Sequence, residues 1–210
     1  MSAPSSTTRE LLRAGRIGVA CLCLGCLLPG PSRAHELNLA LLTCEKFQLQ
    51  IENPTLASQI EQPFDLDAVN TVMWLFGFAV GKSGATVMYG SALQVFGNAL
   101  DAVCKDHPSA SLQDAVTLVN LKSPNPMDLT TLNCSTFETR HAELTRTDPE
   151  SANTIMTWLL GYAVARAGGH MLDDAAAADF AAALAARCTA HPQASLFDTL
   201  TAVKFPKLRK

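Results

Sequence analysis

Two stretches of this chain are apolar on nearly every side of a helical repeat. One surrounds Trp74-Leu75-Phe76-Gly77-Phe78-Ala79-Val80, the other Trp158-Leu159-Leu160-Gly161-Tyr162-Ala163-Val164. A helix of that kind has to be covered around most of its circumference, so each reads as the central helix of its surroundings. Strand-type alternation of β-branched residues is scarce, and the pattern elsewhere is helical too. The second central helix, over 149–167, opens on Asp148-Pro149, an N-cap followed by the residue suited to the first helical position, and Gly168-Gly169 ends it. Its counterpart starts at Asp65 or Asp67 and ends within 81–84. Further helices are expected over 91–105 and 173–189, each stopped by a His-Pro pair, with shorter ones over 44–50 and 134–141. The last helix of each set begins at Ser111 or Ser195, where an acidic residue (Asp114, Asp198) three positions on fits a capping box.

The two sets of elements are copies. Cys44-Glu45-Lys46-Phe47 returns as Cys134-Ser135-Thr136-Phe137, and Cys104-Lys105-Asp106-His107-Pro108 as Cys188-Thr189-Ala190-His191-Pro192. From Trp to the following Cys is 30 residues in both copies, while the first Cys precedes its Trp by 30 residues in one copy and 24 in the other. A constant offset with a single length change marks a duplicated folding unit. The expected layout is a first domain over 37–121, a linker over 122–127 containing Pro124 and Pro126, a second domain over 128–203, and a basic tail over 204–210.

Residues 1–34 read as a secretory signal peptide. Arg9, Arg13 and Arg16 precede a 12-residue apolar run over 17–28, and Ser32-Arg33-Ala34 offers small residues before a cut after Ala34. That run is too short to span a bilayer. Leu24-Gly25-Cys26 resembles a lipoprotein site, but Cys23 stands where such a site usually has Leu, which argues against lipidation. The expectation is therefore export, with the leader removed. Four cysteines remain beyond residue 34, which in an exported protein suggests two disulfides. Three connectivities exist for four cysteines, and the repeat selects Cys44–Cys104 with Cys134–Cys188. Beyond residue 34 the chain carries 12 Lys+Arg against 18 Asp+Glu, a formal charge of −6. No basic tract suggests nucleic-acid binding, and no stretch suggests a membrane span.

Candidate chemistry is sparse. Gly77-Phe78-Ala79-Val80-Gly81-Lys82-Ser83 looks like a phosphate loop, but Phe76 stands where the first glycine is needed, and the segment ends a helix rather than starting one. Gly77, Gly81, Gly161 and Ala165, small residues four apart, instead suggest close packing of another helix. His107 and His191 are paired by the repeat at helix C-termini, where a cation is favoured; they are the candidate pH-responsive groups. They and the other histidines lack metal-ligand spacing. No nucleophile motif or repeated Ser/His/Asp set is visible. The expectation is a non-enzyme with no metal and no cofactor.

Taken together, each copy resembles the HdeA/HdeB family of small periplasmic acid-stress chaperones. The features that carry this are a run into Cys-x-x-Phe (Leu39 to Phe47; Asp128-Leu129-Thr130 to Phe137), then Trp-Leu-x-Gly-Phe/Tyr, then Cys-x-x-His-Pro before an amphipathic helix. The resemblance implies an all-α fold: two tandem small helical domains, each with one disulfide. It further implies a folded dimer near neutral pH that loosens in acid, exposes apolar helix faces and holds unfolded or acid-stressed periplasmic proteins in solution without ATP. Trp74, Leu75, Phe76, Phe78, Trp158, Leu159 and Tyr162 are the candidate client or interface residues on that view. The tandem departs from the family's usual single domain, so the copies pair either with each other, as an intrachain pseudo-dimer, or with a second chain as a homodimer. The competing reading is a specific binding module of the immunity-protein type, acting at neutral pH.

Overall fold

Local signals start the helices where the chain needs them. In this computed structural model, which describes residues 36–52, 68–88, 93–120 and 127–204, Ser111 and Ser195 each accept a hydrogen bond from the backbone N–H three residues on (Asp114 at 3.1 Å, Asp198 at 3.0 Å). Each serine hydroxyl also donates to the same aspartate's carboxylate, so the acid grips the cap side chain. Asn133 caps its helix by accepting from Thr136 N–H, and Asp148 by accepting from Ser151 N–H with Pro149 in the first turn. At the far end of the two central helices the chain turns through Gly84 (φ 75°) and Gly168 (φ 78°), a left-handed conformation that glycine adopts without strain.

The described residues form eight helices: α1 (Cys44–Glu52), α2 (Ala68–Ser83), α3 (Leu93–Asp106), α4 (Leu112–Leu118), α5 (Cys134–Thr147), α6 (Pro149–Arg166), α7 (Asp174–Ala190) and α8 (Leu196–Ala202). The protein is thus mostly helical, and both disulfides, Cys44–Cys104 and Cys134–Cys188, are present. The helical expectation is met, with a small β addition among the described residues. Four short strands, β1 (Glu36–Asn38), β2 (Val87–Met88), β3 (Met127–Asp128) and β4 (Met171–Asp173), form two antiparallel pairs. The expected signal peptide, the Asp65/Asp67 helix start, most of the linker and all but the first residue of the basic tail lie outside the described residues.

Within each copy the same backbone bonds recur. Cys44 N–H donates to Ala110 O and Leu112 N–H to Leu42 O; in the second copy Cys134 N–H donates to Ala194 O and Leu196 N–H to Leu132 O. One face of α3 buries Phe96, Leu100 and Cys104, and α7 buries Phe180, Leu184 and Cys188 at the same four-residue spacing. Each disulfide ties the start of one helix (α1 or α5) to the last turns of another (α3 or α7), its cysteines 60 or 54 positions apart in sequence. In the chain-entropy account each closure contributes about 4 kcal/mol.

Between the copies the pairing is crossed. β1, which leads the first copy, pairs with β4 of the second, Leu37 opposite Leu172. β3, which leads the second, pairs with β2 of the first, Val87 opposite Asp128. Leu39 N–H reaches His170 O at 3.1 Å, and its counterpart Leu129 N–H reaches Thr86 O at 2.8 Å. Both clasps lie just past the C-terminal ends of α2 and α6, which pack in parallel along their length, and one contiguous core runs through both copies.

Candidate functional site

The seam between α2 and α6 brings together most of the residues singled out by the sequence. Gly77 and Gly161 sit where the helices touch. A β-carbon on Gly77 would fall inside the van der Waals envelope of the Trp158 carbonyl, and one on Gly161 inside that of the Trp74 carbonyl. Each glycine therefore faces the backbone of the tryptophan that begins the opposite motif. Gly81 lies one turn on, where a β-carbon would be 2.6 Å from Tyr162 O and 2.8 Å from the Ala165 methyl. The helix axes approach this closely because no side chain separates them.

Close approach of the backbones aligns the aromatic side chains beside the crossing. Trp74 stacks on Phe78 at 5.3 Å between centroids, and Trp158 stacks on Tyr162 at 5.5 Å. Phe76 meets the edge of Trp158 at 6.3 Å and stacks on Phe96 of α3 at 5.0 Å, which links the seam to the surrounding helices. Trp74, Leu75, Phe76, Phe78, Trp158, Leu159 and Tyr162 are all at most 1% exposed. As the protein is folded here, none of them forms a surface, and the five aromatics lie at or beside the crossing.

The polar groups of the joint are few. Tyr162 donates its hydroxyl to Ala85 O across the seam at 2.9 Å, a bond absent on the other side because the matching residue is Phe78. Burial pushes the Tyr162 phenol up from its ordinary value, while the nearby Arg166 charge pulls in the opposite direction. Both indole N–H groups, on Trp74 and Trp158, are buried without a hydrogen-bond partner among the described residues. An unpaired buried donor costs about 1–3 kcal/mol, so the joint carries a penalty on each side. Asn153 Nδ2 donates to Asn70 Oδ1 at 3.3 Å where the two helices begin, and Lys82 Nζ lies 5.6 Å above the Phe78 ring near the end of α2.

The candidate histidines are elsewhere. His107 and His191 are exposed and follow the last residues of α3 and α7, where their backbone N–H groups donate to Val103 O and Arg187 O. The structure places neither on α2 or α6.

Among the described residues, three carboxylates have pKa values below the ordinary range. Asp101 is lowered chiefly by the Lys105 side chain at 2.7 Å, with Gln48 at 3.0 Å assisting and burial opposing. Asp128 is lowered by the Thr130 backbone N–H and hydroxyl, and Asp148 by the Ser151 hydroxyl and N–H. Among the described residues no cluster of His, Cys, Asp and Glu could hold a metal ion, and no helix is long and apolar enough to cross a membrane.

One feature escaped the sequence. Phe47, Ile51, Val72, Gly97 and Leu100 line a surface groove of about 240 Å³ on the first copy, with Gln48 and Asp101 at its rim. Ile51, Leu49 and Val69 are more than two-fifths exposed. The corresponding positions of the second copy hold His141, Thr139 and Asn153, with Ala181 in place of Gly97. A comparison of the two copies by exposed face, rather than by shared motif, is the signal that would have found it. No family model matches the chain, and no curated protein or solved structure matches it either.

Proposed function

We propose that this chain is a periplasmic acid-stress chaperone, an ATP-independent holdase made of two tandem HdeA/HdeB-like domains, whose α2–α6 seam opens at low pH and presents its apolar interior to unfolding proteins. The observation that carries the reading is how the molecule is joined. Each copy is closed by a covalent bond, whereas among the described residues the copies meet through the seam and two short strand pairs. Opening the seam would uncover the facing sides of Trp74, Phe76, Phe78, Trp158 and Tyr162, aromatics that each bury roughly 150–250 Å² in all. Exposure of half of their combined area, on the order of 500 Å², is as large as the biggest apolar patch soluble monomers usually show.

Acid supplies the driving force. Below about pH 3 most carboxylates are protonated, and the formal charge of the chain beyond residue 34 moves from −6 toward +17. Like charges then repel within a compact body. Asp101, Asp128 and Asp148 act in the same direction. A carboxylate whose folded pKa is depressed stabilises the fold above its unfolded value, and that contribution disappears as pH falls through the folded value. Disulfides survive acid, so the opened halves stay compact.

The test is suppression of client aggregation by the purified protein at about pH 2–3 and at pH 7. Protection in acid and none at neutrality is expected; equal behaviour at both would refute the proposal. The second reading, a binding module for one protein partner at neutral pH, is favoured by the apolar groove beside Ile51 and Val72. It predicts a single tight partner recovered at pH 7, lost on Ile51→Glu.

A further inference from the structure

We propose that the α2–α6 seam is also a pairing surface for a second copy of this chain, and that Gly81 and Ala165 determine which halves can pair. The contacts across the seam are reciprocal. Gly77 meets the Trp158 carbonyl and Gly161 the Trp74 carbonyl, while β1 clasps β4 and β3 clasps β2. Residue i touches j and the counterpart of i touches the counterpart of j, which is the geometry of a two-fold interface. Nothing in these contacts depends on the halves sharing one backbone.

Two chains that exchange halves rebuild both seams, so the exchanged dimer holds the same contacts as two closed monomers. Only concentration separates the two states. A short connection holds the second half near the first at an effective concentration on the order of mM. Six residues stand between Asn120 and Met127, two of them proline. Exchange therefore competes once chains reach that concentration and the seam has been opened, and each half keeps its disulfide throughout.

Pairing is selective. A β-carbon at Gly81 would lie 2.6 Å from Tyr162 O and 2.8 Å from the Ala165 methyl. Ala165 is the counterpart of Gly81, so a seam built from two second halves puts a methyl group at both of those places. It would clash with the opposite backbone and with its own counterpart, and a backbone carbonyl cannot rotate away. A seam with a first half on either side keeps one glycine and avoids the clash. The first half accepts either half; the second rejects itself.

The experiment uses the full chain, opened with guanidinium at neutral pH, so it does not depend on any response to acid. Asn70 and Asn153 face each other across the seam, and replacing them leaves the crossing untouched. Chains carrying Asn70→Cys are mixed with chains carrying Asn153→Cys at a concentration on the order of mM, opened without reductant and refolded. The dimer fraction is isolated and linked with a short bis-maleimide, and peptide mapping then locates the links and checks both native disulfides. Comparable amounts of dimer and monomer are expected, with interchain links joining positions 70 and 153. Asn153→Cys chains alone should give dimer without 153–153 links, and adding Ala165→Gly should produce them. Recovery of monomer alone overturns the exchange. Links between two 153 positions as frequent as 70–153 links in the parent chain, or none after Ala165→Gly, overturn the selectivity.

Discussion

Two glycine-to-alanine substitutions of identical chemistry should change stability in opposite directions. At Gly77 the added methyl enters space held by the Trp158 carbonyl, with Tyr162 N next nearest at 3.1 Å. Overpacking of a filled interior costs about 1–3 kcal/mol. The upper end applies here, because the opposing atoms belong to a helix backbone and only a shift of the whole helix relieves them. Alanine's better helix propensity returns about 1 kcal/mol, leaving a net loss of about 2 kcal/mol. At Gly97, inside α3, a β-carbon meets nothing within 4 Å. Only the propensity gain remains there, and Gly97→Ala should stabilise by about 0.5–1 kcal/mol. Urea unfolding followed by tryptophan fluorescence reads the difference, since both tryptophans of the chain lie in the seam. With a slope of about 2 kcal/mol per M, Gly77→Ala should lower the midpoint by about 1 M and Gly97→Ala should raise it slightly. A Gly77→Ala midpoint at or above wild type would show that the helices do not touch through this glycine.

Tyr162→Phe removes the hydroxyl donated to Ala85 O and leaves that carbonyl without its donor; a loss of about 1 kcal/mol is expected, measured as a lower melting temperature. An unchanged value would mean the bond contributes nothing. Asp148→Asn keeps a good N-cap but removes the charge whose pKa Ser151 depresses from 3.8. Because that contribution is present above 3.8 and lost below the folded value, the variant should melt earlier than wild type at pH 7 and alongside it in strong acid; a gap that persists in acid contradicts the assignment. Reduction removes two closures of about 4 kcal/mol each, a large share of the 5–15 kcal/mol that holds typical proteins together. Helicity by circular dichroism at 37 °C should fall in reductant, and retention would show the bridges to be dispensable.

The helices were legible because their signals are local. Asp148-Pro149, the two Ser-x-x-Asp starts and Gly168 act within a single turn, and the structure puts caps and a left-handed turn at those residues. The cysteine pairing was legible because the repeat removed two of three connectivities. The length of α5 was not. A stop near residue 141 was expected, but the helix continues to Thr147 and meets α6 across Asp148 alone. This copy has six residues fewer between its first Cys and its Trp, and its first helix runs on until Asp148 alone separates it from α6. The strands were hidden for a different reason: two or three residues cannot show an alternation, and their partners lie more than 35 residues away (Met88–Met127) or well over 100 (Asn38–Met171). The seam was half visible. The small residues at 77, 81, 161 and 165 announced a close helix contact, but nothing local could say that the contact was each other.

The crossed strand pairs constrain how the two halves can come apart. The leading strand of each copy is gripped by the other copy, and both grips lie just past the C-terminal ends of α2 and α6. A shift of one half by a single residue along these strands would throw Leu37 out of step with Leu172 or Val87 out of step with Asp128, so such creep has no stable resting place. Separation then behaves as a latch with two catches at one end: a joint that splays at Asn70 and Asn153 is still held at the strands, and full opening needs both pairs to let go.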